Sequence, residues 1–249
     1  MRAPKSHPVP DPAPQSYPPS GAEDDPVVTG PEPLVAYFRA AGKPRAAFRV
    51  GLEQEKLPVR ADGTPVPFAD PDGVEALLRR LLARGYEPHP EGSALISVER
   101  GDERITLEPG SQLELSAPGG RPAAECETLL DRHLADVQAE AAPLGIHFIW
   151  GGFRPFGTLD DVSWLPKQRY GIMRAYLPTR GHLGHEMMKR TATVQANLDF
   201  LDEADAAARL RTAFGVTSIV TALYASSPIS EGKPNGYKSY RAAVWLDMD

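Results

Sequence analysis

The chain has 249 residues, of which 41% are hydrophobic and 24% charged, and this composition suffices to bury the core of one domain. Its formal net charge of -6 argues against a nucleic-acid partner, because nucleic-acid-binding proteins carry basic patches. We expect no membrane partner either, since we find neither an apolar run of membrane-spanning length nor a signal-peptide pattern. The single cysteine, Cys126, cannot form an internal disulfide, which favours a reducing compartment and predicts a cytoplasmic protein.

Residues 1–30 contain a large share of the 26 prolines, together with Ser, Asp and Glu, and they lack an apolar pattern. Such a segment cannot bury enough apolar surface to fold, so the sequence predicts a disordered tail. We assign residues 31–249 to the folded domain.

Deletion of residues 1–30 should leave the melting temperature nearly unchanged, because a disordered tail contributes no packed contacts. Thermal unfolding of the full and shortened chains, followed by circular dichroism, tests this expectation. A large drop in melting temperature would show that the tail is ordered.

From residue 31 onward, apolar periodicity predicts helices and strands in alternation. The predicted helices cover 33–41, 74–82, 122–142, 168–176 and a segment that starts after the cap Asp202 and carries Leu210, Phe214, Ile219 and Leu223. The predicted strands cover 48–55, 95–98, 104–107, 112–116, 146–150 and 193–200. Strands that alternate apolar and polar residues between helices are typical of an α+β fold, with a largely antiparallel sheet and flanking helices.

Three of these strands have an acidic or amide face opposite an apolar face. The clearest follows the Pro109-Gly110 break, where Leu113 and Leu115 alternate with polar residues. The polar side chains of the three strands are Glu53, Glu55, Gln112, Glu114, Ser116, Gln195, Asn197 and Asp199.

Side chains two residues apart on a strand lie roughly 6.6 Å apart, where two carboxylates repel each other by on the order of 2 kcal/mol at an effective dielectric constant near 20. A cation would relieve this repulsion. Oxygen ligands favour Mg²⁺ or Mn²⁺, and Mg²⁺ commonly sits between carboxylates and substrate phosphates, which indicates nucleotide chemistry. The alternative is that these acids form the solvated face of an antiparallel sheet.

The phosphate-binding loops of common nucleotide folds are missing, so ATP would have to bind through metal and basic side chains. Arginine suits bidentate recognition of carboxylates and phosphates. The candidates are Lys167, Arg169, Arg174, Arg190, Lys233 and Arg241, although most such residues in proteins are solvated surface.

Two further motifs carry weaker signals. His182 and His185 lie three residues apart beside Glu186, but the pattern matches neither zinc signature and Gly184 disfavours a helix, so it does not favour zinc. The run 231–236, Glu-Gly-Lys-Pro-Asn-Gly, predicts a turn and is compatible with a plain surface loop.

Several motifs in order resemble the plant-type glutamate-cysteine ligases, a group found in plants and many bacteria. The matching segments are 51–56, 105–117, 166–178, 187–200 and 226–236. The likeness extends from about residue 33 to the end of the chain.

The resemblance implies a fold related to glutamine synthetase and an ATP-dependent ligation of the γ-carboxylate of glutamate to the amine of cysteine, the first step of glutathione synthesis. It implies Mg²⁺ or Mn²⁺ as cofactor, ATP as co-substrate and small-molecule partners, and it leaves a homo-oligomer open. By this resemblance, the metal ligands are Glu53, Glu55, Glu108 and Glu114. The residues that would assist near ATP or the metal are Gln195, Asn197 and Lys233. The residues that would bind substrate carboxylates or phosphates are Arg174, Arg190 and Arg241. No residue is singled out as the base that deprotonates the cysteine amine.

Two departures from the family pattern affect these expectations. The plant enzymes use disulfides for redox control, whereas a chain with Cys126 alone cannot form an intramolecular one. The sequence also stops at Asp249 inside a motif that continues in the family, so we expect residues 31–249 to be the N-terminal portion of the catalytic domain. Two alternatives stay open: a related carboxylate-amine ligase with another acceptor or thiol pathway, and an inactive truncated remnant.

Overall fold

The computed structural model describes residues 28–120 and 123–248, without the side chains of 119, 120 and 123. The chain divides into two units after Ala40. In the first unit, the structure describes one helix, α1 (Pro31–Ala40). All other described elements belong to the second unit. The tail predicted for residues 1–30 lies, up to residue 27, outside the described residues.

The second unit contains a seven-stranded sheet in which each pair of neighbouring strands is antiparallel. Its strands are β1 (Val50–Val59), β2 (Glu87–Glu91), β3 (Ala94–Arg100), β4 (Glu103–Leu107), β5 (Leu113–Gly120), β6 (His147–Ile149) and β7 (Val194–Leu198). The order is β2-β3-β4-β5-β1-β6, and β7 also pairs with β1. Strand β1 therefore lies next to both β5 and β7, and these are the three strands predicted to have an acidic face.

Helices flank this sheet, which confirms the predicted α+β class. They are α2 (Val74–Leu81), α3 (Ala123–Ala141), α4 (Gln168–Tyr176), α5 (Gly184–Arg190), α6 (Glu203–Leu223) and α7 (Tyr240–Leu246). Helix α2 packs on β3, and α3 packs on β5. A short hairpin of β8 (Ile229–Ser230) and β9 (Lys233–Pro234) confirms the predicted turn at 231–236.

The core lies between the apolar face of the sheet and α2 and α3. Helical spacing places Val74, Leu77, Leu78 and Leu81 of α2 on one buried face, as the periodicity predicted. Strands β3, β4 and β5 contribute side chains from one face of the sheet, all fully buried: Val98, Ile105, Leu107, Leu113 and Leu115. Because this face is buried, the carboxylates at the intervening positions are directed to the other face.

Gln112 joins the turn between β4 and β5 to helix α5. Its side-chain oxygen accepts from the Gly110 backbone N–H at 2.8 Å, and its amide donates to the carbonyls of Met188 at 3.0 Å and Thr191 at 2.8 Å. We predicted Gln112 on the face of the strand that carries the acid and amide side chains. The structure corrects this, because Gln112 is 2% exposed and lies just before β5.

Replacing Gly110 by Ala should destabilise the protein by roughly 1–3 kcal/mol, the usual effect of overpacking. A Cβ at this buried position would lie 2.2 Å from the Lys189 carbonyl oxygen, and backbone cannot move aside as a flexible side chain can. Urea unfolding measures the loss. Gly171→Ala in α4 is the matched control, because no atom lies within 4 Å of the added Cβ, and it should be neutral or slightly stabilising.

Two apolar faces predicted from the sequence are exposed. In β7, Val194 is 66% and Leu198 is 60% exposed, so neither face of this strand is covered by the described residues. Asp202 caps α6 by accepting from the Asp205 N–H, as predicted, yet the helix has no buried residue. Its apolar side chains Leu210, Phe214, Ile219 and Leu223 are at least 59% exposed. Among the described helices, none is long and apolar enough to cross a membrane.

Candidate active site

Three of the four predicted metal ligands lie close together on the polar face of the sheet. Glu55 in β1 stands directly across from Glu114 in β5. Glu108 follows β4. Its charge raises the pKa of Glu55, and the charge of Glu114 raises the pKa of Glu108. We call Glu55, Glu108 and Glu114 the carboxylate cluster.

Burial and like charge both disfavour ionisation of Glu55 and Glu108. Burial raises the pKa of Glu55 to about 8, and the neighbouring charges of Glu108 and Glu114 contribute to the same shift. The pKa of Glu108 is also raised, first by burial and then by Glu114. Three acids thus share a partly buried site where their mutual repulsion is strong.

Polar neighbours fix the orientation of each carboxylate. Glu55 accepts a hydrogen bond from the Thr193 backbone N–H at 3.1 Å, and Glu114 accepts from the Thr106 hydroxyl at 2.7 Å. Tyr170 donates from its hydroxyl to the Leu107 carbonyl at 3.0 Å and lies 3.5 Å from Glu108. These contacts hold the acids in place without neutralising them.

Positive side chains approach the carboxylate cluster from two helices. Lys167 and Arg169, beside Tyr170 at the start of α4, lower the pKa of Glu108. Arg241 at the start of α7 lowers that of Glu55 and is half-buried. Its Nε atom is buried and has no hydrogen-bond partner in the described part of the chain. The site therefore combines acids with cations that a phosphorylated or carboxylated ligand would need.

Glu53 belongs to a neighbouring polar group, although it lies on the same face of β1 as Glu55. It accepts from the Asn197 amide at 2.9 Å, and Asn197 in turn accepts from Gln195 at 2.9 Å. Glu53 and Asn197 also line a groove of about 650 Å³ whose other walls include Glu99, Asp102 and Arg104. The structure thus brings Gln195 and Asn197 to Glu53 rather than to the carboxylate cluster.

The remaining predicted site residues lie elsewhere. Arg174 is exposed in α4, with its guanidinium 5.1 Å from the Trp164 ring. Lys233 is exposed in β9. Arg190 is only 1% exposed and donates to Glu186, Glu231 and the Gly157 carbonyl. This burial leaves Arg190 no surface for a substrate, so its direct binding role stays a prediction that this conformation does not support.

The geometry of the described residues only partly fits the predicted four-glutamate metal site. In residues 28–120 and 123–248, no group of three or more Asp, Glu, His or Cys side chains is arranged to hold a metal ion. A pair of carboxylates, Glu55 and Glu114, stands face to face across two strands. Since Mg²⁺ is commonly bound by one or two carboxylates together with substrate phosphates, this pair fits that mode of binding.

Sequence reasoning missed a buried pair behind the carboxylates. Lys56, next to Glu55 but on the opposite face of β1, lies 2.7 Å from His133 Nε2 in α3, and both residues are 0% exposed. Burial lowers the pKa of Lys56 to about 7 and that of His133 to about 2, so the neutral ring accepts at Nε2. The sequence signal that could have identified this pair is Lys56 itself, a lysine at a position of the strand pattern where an apolar residue is expected. Tyr170 and Thr106 were also missed, because their roles depend on neighbours distant in sequence.

The fold and the carboxylate cluster define an α+β domain with an acidic sheet face bordered by basic helices. The model of Glutamate-cysteine ligase family 2 matches residues 49–249, and the chain belongs to this family. This confirms the family resemblance inferred from the motifs.

Curated relatives give the same family. The chain is 39% identical over 220 residues to a chloroplastic glutamate-cysteine ligase of Brassica juncea, 40% over 220 residues to glutamate-cysteine ligase A, chloroplastic, of Oryza sativa subsp. japonica, and 41% over 219 residues to a chloroplastic one of Nicotiana tabacum. Each alignment covers 88% of this chain and 42%, 44% and 42% of the respective relative. The chain spans less than half the length of these relatives.

The relatives also correct one expectation. We predicted a cytoplasmic protein from the single cysteine and the missing signal peptide. All three relatives named above are chloroplastic proteins, which contradicts the cytoplasmic prediction. A reducing compartment is compatible with several locations, so cysteine content could not decide between them.

Proposed function

We propose that this chain carries part of the catalytic domain of an ATP-dependent glutamate-cysteine ligase, within residues 31–249, on a fold related to glutamine synthetase. The reaction joins the γ-carboxylate of L-glutamate to the amine of L-cysteine, the first step of glutathione synthesis. The observation that carries the proposal is the carboxylate cluster bordered by Lys167, Arg169 and Arg241. Family membership and the names of the relatives support it.

The proposed chemistry activates a poor electrophile. A carboxylate at neutral pH does not accept an amine, so the γ-phosphoryl group of ATP is first transferred to a γ-carboxylate oxygen and ADP leaves. The neutral amine of cysteine then attacks the carbonyl carbon of the acyl phosphate; the amide bond forms, inorganic phosphate leaves, and the amine loses a proton to solvent. Catalysis of phosphoryl transfer depends mainly on positioning and on stabilising charge.

In this proposal, Glu55 and Glu114 hold Mg²⁺ or Mn²⁺, with Glu108 and Glu53 as further predicted ligands. When bound, the ion would neutralise the triphosphate and relieve the repulsion within the carboxylate cluster. Its attraction would also return Glu55 to the ionised form, against the burial that raises the pKa of this group.

The basic residues supply the complementary half of the site. Lys167 and Arg169 lie beside Glu108, where a phosphate bound next to the metal would need positive charge. Arg241 has a buried, unpaired Nε in the described part of the chain and acts on Glu55 electrostatically, which suits it to a substrate carboxylate or phosphate. Gln195, Asn197 and Lys233 remain proposed helpers near ATP, and Arg174 remains a proposed substrate binder. For Arg190 that role stays a prediction that its burial does not support.

ADP release in the presence of Mg²⁺, ATP and glutamate, measured with and without cysteine, tests the function. Mass spectrometry then identifies the product. We expect cysteine-dependent ADP release and γ-glutamylcysteine. ADP release with another amine, but not with cysteine, would favour a ligase with a different acceptor. If no acceptor gives turnover, the proposed ligase reaction does not take place on this chain, and the alternative of an inactive remnant is favoured.

A further inference from the structure

A second cluster of positive charge lies in the interior, away from the carboxylate cluster. Arg154 is 0% exposed and Arg190 is 1% exposed, and they are among the largest side chains in the protein that are fully buried. The backbone holds the two residues together, because the Arg154 N–H donates to the Arg190 carbonyl at 2.7 Å and Phe153 bridges to Thr191. Two guanidinium groups are therefore buried in adjacent positions.

The two arginines differ in their counter-charges. Arg190 is paired with Glu186 at 3.1 Å and Glu231 at 3.4 Å. The side chain of Arg154 has one hydrogen bond within the described residues, from Nη1 to the Pro58 carbonyl at 3.1 Å. The charged group that acts on Arg154 is another cation, Arg190.

The unpaired atoms of Arg154 are the two donors on one edge of its guanidinium group. Its Nε and Nη2 atoms are both buried and have no partner among residues 28–120 and 123–248. These two N–H groups point the same way from the planar guanidinium, in the fork that takes an anion with two parallel hydrogen bonds. The Nε of Arg190 is also buried and unpaired in the same part of the chain.

Leaving this charge uncompensated would be costly. An unpaired buried ion is destabilising by several kcal/mol, and buried N–H groups in proteins nearly always have partners. Burial and the Arg190 charge lower the pKa of Arg154 to about 10, which still leaves the guanidinium protonated at neutral pH. The two free N–H groups of Arg154 therefore call for an acceptor, and an acceptor with negative charge would also compensate for the charge of the buried guanidinium.

We propose that the Nε and Nη2 atoms of Arg154, a residue paired through its backbone with Arg190, form a buried site for a small inorganic anion of chloride size. The complete burial of both arginines sets the size, because protein interiors leave few voids larger than a water molecule. The role of the ion is structural. It neutralises the junction between the 153–154 segment, the end of α5 and β1, and it is independent of the proposed ligase activity.

The stability of the protein should therefore depend on chloride specifically. We expect the melting temperature to rise by about 3–6 °C between chloride-free buffer and chloride at tenfold its dissociation constant, since an ion that binds only the folded state stabilises it. Sodium gluconate keeps the ionic strength constant, because the gluconate anion is too large for the site. The rise should be small below the dissociation constant and should grow with the logarithm of the chloride concentration above it.

Variants identify the site. Arg154→Gln removes the charge and the fork and should abolish the chloride-dependent rise, whereas Arg211→Gln, at an exposed position of α6, should retain it in full. A melting temperature that does not respond to chloride in the unchanged protein would overturn the proposal. An equal response in Arg154→Gln would do so as well.

Bromide gives a test that needs no variant, should Arg154→Gln fail to fold. Crystals of the unchanged protein grown in sodium bromide should show an anomalous bromide peak within hydrogen-bonding distance of Nε and Nη2 of Arg154. Density at that position without an anomalous signal would show a water molecule, and the anion site would then be rejected.

Discussion

Glu114→Gln and Glu108→Gln are each expected to lower kcat/KM for Mg-ATP by on the order of 10²–10³-fold, the usual effect of losing one group that stabilises charge in a transition state. Glutamine keeps the size of the side chain and its hydrogen-bonding oxygen, so the bond from Thr106 to residue 114 can persist. What is lost is the negative charge that would hold the metal ion.

The melting temperature of both variants should rise or stay unchanged. Glu114 and Glu108 lie in a cluster of like charge, so neutralising either one relieves repulsion in the metal-free protein. Steady-state ADP release against Mg-ATP concentration, together with thermal unfolding, separates the two effects.

Glu87→Gln is the matched control for these two variants. Glu87 is an exposed glutamate of β2, on the same sheet but far from the carboxylate cluster in strand order. It should leave both turnover and melting temperature unchanged. Unchanged turnover in both Glu114→Gln and Glu108→Gln would remove these residues from the metal assignment.

The second large effect concerns pH. In the metal-free protein, held in EDTA, the stability contribution of Glu55 should be complete near pH 4.5 and below, and it should be lost as the pH rises to about 8. The folded state favours the protonated acid, since burial raises the pKa from 4.5 to about 8, so it binds more protons than the unfolded chain in this window. The loss amounts to roughly 2–4 kcal/mol after allowance for solvent screening of a partly exposed group.

Glu55→Gln should therefore be more stable than the unchanged protein at pH 8, and the difference should shrink towards pH 5. Urea unfolding at pH 5, 6, 7 and 8 gives the free energy of unfolding for both proteins. Glu87→Gln provides the baseline for replacing an exposed glutamate. A constant difference between Glu55→Gln and the unchanged protein over this range would show that Glu55 ionises normally.

Lys56 does not obscure this result. Burial lowers the pKa of Lys56 from 10.5 to about 7, so its contribution changes between those two values, and stability rises with pH there. Below pH 7 the Glu55 effect is therefore isolated from that of Lys56. Above pH 7 the two effects have opposite signs, and the charge of Glu55 itself raises the pKa of Lys56, so the comparison of Glu55→Gln with the unchanged protein is decided below pH 7.

Local pattern was sufficient to predict most elements of the fold. The apolar spacing of Val74, Leu77, Leu78 and Leu81 identified α2 and its buried face, and the cap at Asp202 marked the start of α6. The periods of helices and strands depend on local backbone geometry, so they can be predicted from the apolar spacing within one segment of the sequence. The same alternation placed Glu53, Glu55 and Glu114 on the polar faces of their strands.

Which side chains contact each other across strands and helices could be determined only from the tertiary structure. Register, which the sequence does not contain, sets Glu55 against Glu114 and leaves Glu53 with Asn197. Packing buries Arg190, whereas Arg174 and the apolar side chains of α6 stay exposed.

The sequence by itself determined the α+β class, the faces of the strands and the family, because these depend on short-range periodicity and on ordered motifs. The tertiary structure alone decided which charges meet: Glu55 with Glu108 and Glu114, Lys56 with His133, and Arg154 beside Arg190. The reason is physical. A residue type fixes a side chain's charge, but its pKa and its partners depend on burial and on neighbours that are distant in the chain.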